Sequence, residues 1–576
     1  MRYLHTALLG CALIALSVSA QEDLGKKIVL KGSVQSDVLF PQEDSKIDAH
    51  RDNWSLTNTY AEMHLMSKYF SAGARFEGLE HPLPGFEPGF KGRGVPYFYF
   101  AGQYKGLELT AGDFYDQFGS GLIFRTYEER SLGIDNSLRG GRLLVKSFNG
   151  VNLKLLGGKQ RRYWHHNDSW VYGGDLEMSL DSWFRRMEES GTRLTLGFSA
   201  VSKHEDDTDI LKLQSTGQQD EFGTDILGAY KLNLPKNIAA FDVRANFQKG
   251  GYNLLAEYAW KGQDPSFDNN YIYRKGNALL LSGSYSRRGM SLLLQAKRSE
   301  NMSYRSDRTA DGISSCINHL PAFSMQHTYA LAALYPYATQ NVLGEWAYQA
   351  ELGYNFKRRT LLGGKYGTNV KVNFSHIRSI DRTPVTDASG AGVSDVRGTE
   401  GYTSKFFKVG DEIYYQDINV QVEKKLSRRF KLNLMYMNQR YNQTIVEGHG
   451  GTVKANIAVA EGKYNLSKKL TLRGEAQYLH TDQDQKDWWY GLLELSVLPS
   501  LMFTVSDMYN AHVPDASVSG KTNKVHYYMA AACFTHKAHR LQVSYGKTRA
   551  GYNCSGGVCR LVPASKGIQL SYNFNF

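Results

Sequence analysis

Residues 567–576 read GIQLSYNFNF. Ile568, Leu570, Tyr572, Phe574 and Phe576 fall on one side of an extended chain. Gln569, Ser571, Asn573 and Asn575 fall on the other. A period of two marks a strand with two different surroundings. One side is apolar and aromatic, the other polar but uncharged. Such a strand is either the edge of a soluble sheet or part of a wall between hydrocarbon and water.

The same pattern recurs along the chain. Phe241, Val243, Ala245 and Phe247 oppose Asp242, Arg244, Asn246 and Gln248. Phe430, Leu432, Leu434 and Tyr436 oppose Lys431 and Asn433. Leu470, Leu472, Ala476 and Tyr478 oppose Thr471, Arg473, Glu475 and Gln477. These segments run to about ten residues, enough to cross a bilayer at a tilt, whereas strands of globular proteins average nearer five or six. The connections alternate in length. Tight ones fall at Ser67-Lys68, 104–106, Asn149-Gly150, 249–251, 287–289, 426–428, 466–468, Pro499-Ser500 and 536–538. Longer polar ones fall at 41–54, 81–94, 118–135, 203–236, 262–275, 300–344, 380–410, 439–450, 511–521 and 550–566.

Short alternating with long is the mark of an up-and-down antiparallel β-barrel that crosses a membrane, with tight turns at one rim and loops at the other. The expected fold is therefore all-β, with roughly 24 strands (22–26). Two segments bear on the count: 326–335 reads as a strand or a short loop helix, and 182–190 as a short periplasmic helix. Closure is a physical requirement, because an open edge in hydrocarbon leaves a row of unpaired backbone groups. The polar faces then line a lumen, so Asp242, Arg244, Glu257, Lys431, Arg473 and Glu475 are expected to point inward. A barrel this wide cannot be filled by wall side chains, so the lumen is either water-filled or plugged by inserted loops.

Composition fits without deciding. A mean hydropathy of −0.43 and a hydrophobic fraction of 42% would pass for a soluble chain. A membrane barrel gives the same result, since only alternate residues face lipid. The 37 Tyr, 27 Phe and 56 Gly, against 13 Pro, suit long strands, tight turns and aromatic girdles. They also suit a secreted soluble β-rich protein. Arg2, the apolar run 7–18 and Val18-Ser19-Ala20 before Gln21 read as a signal peptide over 1–20, with a single barrel domain over 21–576. Cys11 raises a lipoprotein signal, but most of the apolar run follows it. With so short a stretch between Gln21 and the first strand, no N-terminal plug domain is expected. The net charge of +12 is scattered and carries no nucleic-acid motif, so no nucleic acid is expected as a partner. Cys554 and Cys559 are expected to form a disulfide in an oxidising compartment. Two free thiols or a metal pair are the alternatives.

The densest stretch is 112–142, GDFYDQFGSGLIFRTYEERSLGIDNSLRGGR. It holds Asp113, Asp116, Arg125, Glu128, Glu129, Arg130, Asp135, Arg139 and Arg142, with Gly119, Gly121, Gly140 and Gly141 as bends. In one reading it folds inward and sets the bore and selectivity of a pore. In the other it forms hairpin ends whose charges pair across strands. Enzyme signals are weak. His165-His166 and His449 lack further ligands, and Gly119-Ser120-Gly121 is not a nucleophile elbow. No catalytic residue, cofactor or metal is expected.

The 112–142 motif, the LYPYAT segment at 334–339 and the aromatic C-terminus together resemble a family of Bacteroidota outer-membrane proteins without an assigned function. The resemblance implies a barrel in the outer membrane and transfers no site residues. Tyr572, Phe574 and Phe576 resemble the closing-strand signal read by the barrel-assembly machinery. The other expected partners are outer-membrane lipid, lipopolysaccharide and envelope proteins. The expected function is a channel or transport pore of unknown substrate. The rivals are a non-conducting barrel in a secretion or envelope-assembly complex and a secreted soluble glycan-binding protein or enzyme.

Overall fold

Each alternating segment forms a strand that pairs antiparallel with its neighbour along the chain. The architecture comes from a computed structural model that describes residues 28–219, 221–222, 225–387 and 389–576. The expected signal peptide lies outside the described residues. Twenty-four strands form one sheet. The last, Ser565–Asn575, pairs with the first, Ile28–Pro41, from Pro41↔Gly567 to Ser33↔Asn575. That ladder closes the sheet and removes its edges. Ile568, Leu570, Tyr572 and Phe574 share a face with Val34, Ser36, Val38 and Phe40, the outer one.

Alternation becomes two surfaces. In Asn237–Lys249, Phe241 and Val243 are 49% and 46% exposed, while Asp242 and Arg244 are 2% and 9%. The exposed face is the apolar one, the inverse of a soluble sheet and the arrangement that hydrocarbon demands. No helix among the described residues is long and apolar enough to cross a membrane; the strands make the crossing.

All the tight turns read from the sequence lie at one rim, as does the junction of Ile28 with Ser67. The helix expected near 182–190 is there, as a 3-10 turn Leu180–Ser182 followed by Arg185–Glu189. The sequence reading passed over one connection at this rim, 357–367. Among the described residues, the loops at the other rim carry four small two-stranded pairings of their own: Leu211–Gln219 with Asp225–Lys231, Gly551–Ser555 with Val558–Val562, Thr383–Pro384 with Tyr402–Thr403, and Glu128–Glu129 with Ile134–Asp135. The loops 115–137 and 301–344 turn into the lumen.

The segment 326–335 is a correction: it is neither strand nor helix, and its residues 329–335 are a run of turns and bends inside the barrel. Leu331 and Ala332 are 0% and 1% exposed, and the Leu331 N–H is taken by the Gln477 side chain at 2.8 Å. Its apolar residues meet other lumen residues, not lipid.

Candidate functional site: a lumen filled by two loops

The loop 115–137 descends from the strand Leu107–Phe114 and touches the wall at the strand Tyr252–Lys261 through Gly119-Ser120-Gly121. The Ser120 backbone N–H donates to both Glu257 oxygens at 3.0 and 3.2 Å, and its hydroxyl donates at 2.5 Å. Gly119 has φ +50°, and a Cβ there would lie 2.6 Å from Glu257 Oε1. Both the left-handed backbone and the lack of space call for glycine. Beside this contact Arg244 donates to Asp175 (2.5 Å), Ser199 (2.7 Å), Glu177 (2.8 Å) and Asp242 (3.0 Å). Asp242, Arg244 and Glu257, expected on the lumen face, thus form the floor on which the loop rests.

The returning half of the loop joins a second charged cluster. Arg75, on the strand Phe70–Leu79, binds Glu77 (2.7 Å), Glu128 (3.0 Å) and Asp135. Arg161 binds the same Glu77 at 2.7 Å and Asp135 at 2.5 Å. Arg130 binds Glu128 (2.6 Å), Glu62 and Gln35 (3.1 Å), and its guanidinium lies 4.4 Å from the centre of the Tyr60 ring. Buried cations of this kind are tolerated because each meets several acceptors. Asp116 pairs with Lys154 (2.7 Å) and Arg142 (3.3 Å), and Arg142 also with Glu108 (2.5 Å). Glu129 accepts from the Ser131 hydroxyl at 2.7 Å, and Arg125 stacks 4.6 Å from the Tyr127 ring centre. Asp113 and Arg139 pair at 2.8 Å but stand apart from the others. They share the strand face of Leu109, which is 61% exposed, so they lie on the outer side of the wall near the loop rim. In 112–142 the strand ends pair charges across the sheet, and the middle turns inward.

The larger insertion, 301–344, was missed as a plug. Its aromatic and apolar content was the available signal: Tyr304, Ile317, Leu320, Phe323, Leu331 and Tyr337 are all buried. Along its path His327 meets Asp417 at 2.6 Å, and Gln439 donates to the Tyr335 carbonyl at 3.0 Å. Tyr329 reaches Asn433 and Glu461, close to the short-turn rim. Where the loop rejoins the wall, the fully buried pair Lys297–Glu345 (2.7 Å) anchors it, with Tyr337 donating to Glu345.

The two loops are sewn to each other. Arg125 N–H donates to the Ile317 carbonyl at 2.8 Å, and His319 N–H to that of Gly121 at 3.0 Å. Asn318 bridges the carbonyls of Leu122 (2.9 Å) and Met302 (2.8 Å). The hairpin of Gly551–Ser555 and Val558–Val562 caps both loops and carries the Cys554–Cys559 disulfide, Cα atoms 4.1 Å apart. Arg560 donates to the Ser131 carbonyl at 3.1 Å, and Thr339 N–H to that of Gly557 at 2.9 Å. The His319 imidazole is held neutral at this junction. Burial, with help from Arg125 and Lys297, lowers its pKa to about 3.

Nearer the short turns, Arg473 pairs with Glu475 (3.0 Å), Glu494 (3.2 Å) and Glu461 (3.3 Å), and Lys431 with Glu423 (2.7 Å). No cluster of three or more metal-ligating side chains occurs among the described residues.

These features define a class: a transmembrane β-barrel with two of its own loops folded into the lumen. The chain belongs to a family of unknown function, DUF6029, whose model matches residues 3–576. No curated protein matches it in sequence. Among solved structures it is similar to the siderophore receptor PirA from Pseudomonas aeruginosa, with 10% identity, a TM-score of 0.40, and 95% of this chain and 80% of that one covered. It is similar to the P pilus usher PapC translocation pore, with 10% identity, a TM-score of 0.41, and 95% and 99% covered. A third is OccK10 (OpdN) from Pseudomonas aeruginosa, with 11% identity, a TM-score of 0.31, and 96% and 99% covered. Matches this distant carry no argument about what this barrel does.

Proposed function

We propose that the protein is a gated transport pore in the outer membrane of a Bacteroidota cell, closed at rest by its two inserted loops. The observation that carries this is the nature of the filling. A wall of 24 strands encloses more space than its side chains fill. The filling is chain tethered to the wall at both ends and held to it by polar contacts such as Ser120–Glu257 and His327–Asp417 and by apolar packing on wall residues such as Ala240, Ala259 and Ile457. Hydrogen bonds to carboxylates exchange for water at a net cost of about 1.5–3 kcal/mol each, so a plug that carries few of them can withdraw as a unit. In this reading the long loops face outward and the short turns face the periplasm. Lipid and lipopolysaccharide surround the wall, and the assembly machinery reads Tyr572, Phe574 and Phe576. Arg125, Glu128, Glu129, Arg130 and Asp135 line the path when it opens.

The test is single-channel conductance in planar bilayers. Wild type is expected to open rarely. A variant with 116–136 and 303–342 replaced by short Gly-Ser links is expected to conduct steadily. In the openings of the full-length chain, R125A with R130A should shift selectivity toward cations. A barrel that stays silent after both deletions would leave the non-conducting envelope-assembly component as the better reading. The dry packing of Phe118, Phe124 and Leu331 favours that second reading.

A further inference from the structure

The short-turn rim is electrically lopsided. Four of its turns read SRRG (286–289), KRRTLLGGKYG (357–367), KKLSRR (424–429) and LSKK (466–469). Together they hold twelve Lys and Arg and no Asp or Glu. All but Lys424 are exposed, and none of the twelve has a carboxylate partner among the described residues. The turns are neighbours. They join the strands Gly276–Arg287, Met290–Glu300, Glu345–Phe356, Thr368–Ile380, Val409–Lys425, Phe430–Asn442, Thr452–Asn465 and Leu470–His480, which pair one with the next. Elsewhere on this rim the turns carry single lysines such as Lys68, Lys105, Lys146 and Lys249. The helical turn 180–191 balances Arg185 and Arg186 against Asp181, Glu188 and Glu189.

The arc is also a continuous surface. Asn355 N–H donates to the Gly289 carbonyl at 2.8 Å, and Asn465 N–H to that of Arg429 at 2.8 Å. Lys424 reaches the Leu362 carbonyl at 3.4 Å, and Lys365 and Lys425 both lie over the Tyr366 ring. In its middle stand Leu361 and Leu362, 98% and 57% exposed. A connection that merely closed a hairpin would need neither eleven residues nor two bare leucines.

We propose that this arc is a docking site for an acidic, partly apolar segment of a periplasmic protein. The assignment of the rim to the periplasm rests on the membrane reading above. Two features point to a protein in preference to lipid headgroups. Lipid surrounds a barrel on all sides, so attraction to an anionic leaflet would favour basic turns around the whole rim, whereas a docked segment touches one arc. Exposed leucine among arginines also fits a partner that buries apolar side chains within a ring of carboxylates, the arrangement that gives both fast encounter and register. Arginine pairs at Arg358-Arg359 and Arg428-Arg429 offer the bidentate geometry that carboxylates accept.

The test uses the full-length barrel in phosphatidylcholine nanodiscs and a fluorescent helical peptide of alternating Glu and Leu turns as probe, followed by anisotropy. Binding is expected, and it should weaken about tenfold between 50 and 300 mM salt, as screening of exposed charge requires. Reversal at R358E, R359E, R428E and R429E should abolish it. The control K68E, K105E, K146E should leave it within twofold, and L361S should weaken it several-fold at unchanged salt slope. Equal losses in the arc and control variants, or no loss in L361S, would overturn a docking site in favour of general attraction. Selective retention of phosphatidylglycerol by the arc, with no peptide bound, would make it a lipid site instead. A maleimide that cannot cross the outer membrane should label R358C only after the membrane is permeabilised. Labelling in intact cells would overturn the orientation, and failure to enter nanodiscs would overturn the membrane reading itself.

Discussion

Single side chains decide how firmly the plug is seated. Among the described residues, Glu257 accepts every hydrogen bond that Ser120 makes to the wall. Glu257→Ala leaves the Ser120 N–H without its partner, which costs roughly 1–3 kcal/mol when water cannot replace it. Open probability in planar bilayers should therefore rise by about 5- to 150-fold, with no change in the apparent size of the barrel on a detergent gel. His319 gives the closed state a pH dependence. Its folded pKa is depressed from 6.5 to about 3, first by burial and then by Arg125 and Lys297. The docked state thus binds fewer protons than the released one. Its stabilisation is complete above pH 6.5 and is lost as pH falls from there toward 3. Acidification from pH 7 to 4 should raise the opening rate, and His319→Gln should flatten the response. An unchanged slope in the variant would assign the effect to another group.

At the level of elements, the hairpin of Gly551–Ser555 and Val558–Val562 works as a clasp. It touches both plug loops, and its disulfide closes a loop short enough that loop-closure entropy gives about 2 kcal/mol. Cys554→Ser with Cys559→Ser, or reduction of the native pair, should loosen the clasp and raise the opening rate. The barrel itself should remain, read as unchanged heat-modifiable migration. The elements also show what sequence could reveal. The strands were legible because lipid and lumen impose opposite demands on alternate residues. The plug was half legible. The charges of 112–142 announced an unusual loop, but Asp113 and Arg139 could not be separated from Asp116 and Arg142 without the register that places them on opposite faces. The loop 301–344 has no period, because its side chains meet partners from many strands in no fixed order, and its burial is set by a lumen that exists only after closure.

The whole molecule inverts the usual relation between surface and core: its apolar belt faces out and its buried charges face in. That inversion predicts opposite outcomes for one substitution at adjacent positions. Val505 lies mid-strand in Leu501–Pro514 and is 54% exposed on the outer face. Thr504 points into the lumen opposite Glu494, which already faces Arg473. An arginine at 505 must sit in hydrocarbon, at about 2–4 kcal/mol near the bilayer midplane. An arginine at 504 meets a carboxylate and costs little. Urea unfolding in liposomes, followed by the shift in migration on unheated gels, should show a lower midpoint for V505R and a near-native one for T504R. A soluble sheet would give a different pattern, since an exposed valine tolerates arginine and a half-buried threonine does not. Equal tolerance at 505 would therefore remove the lipid from this account, and with it the physical reason for a closed wall.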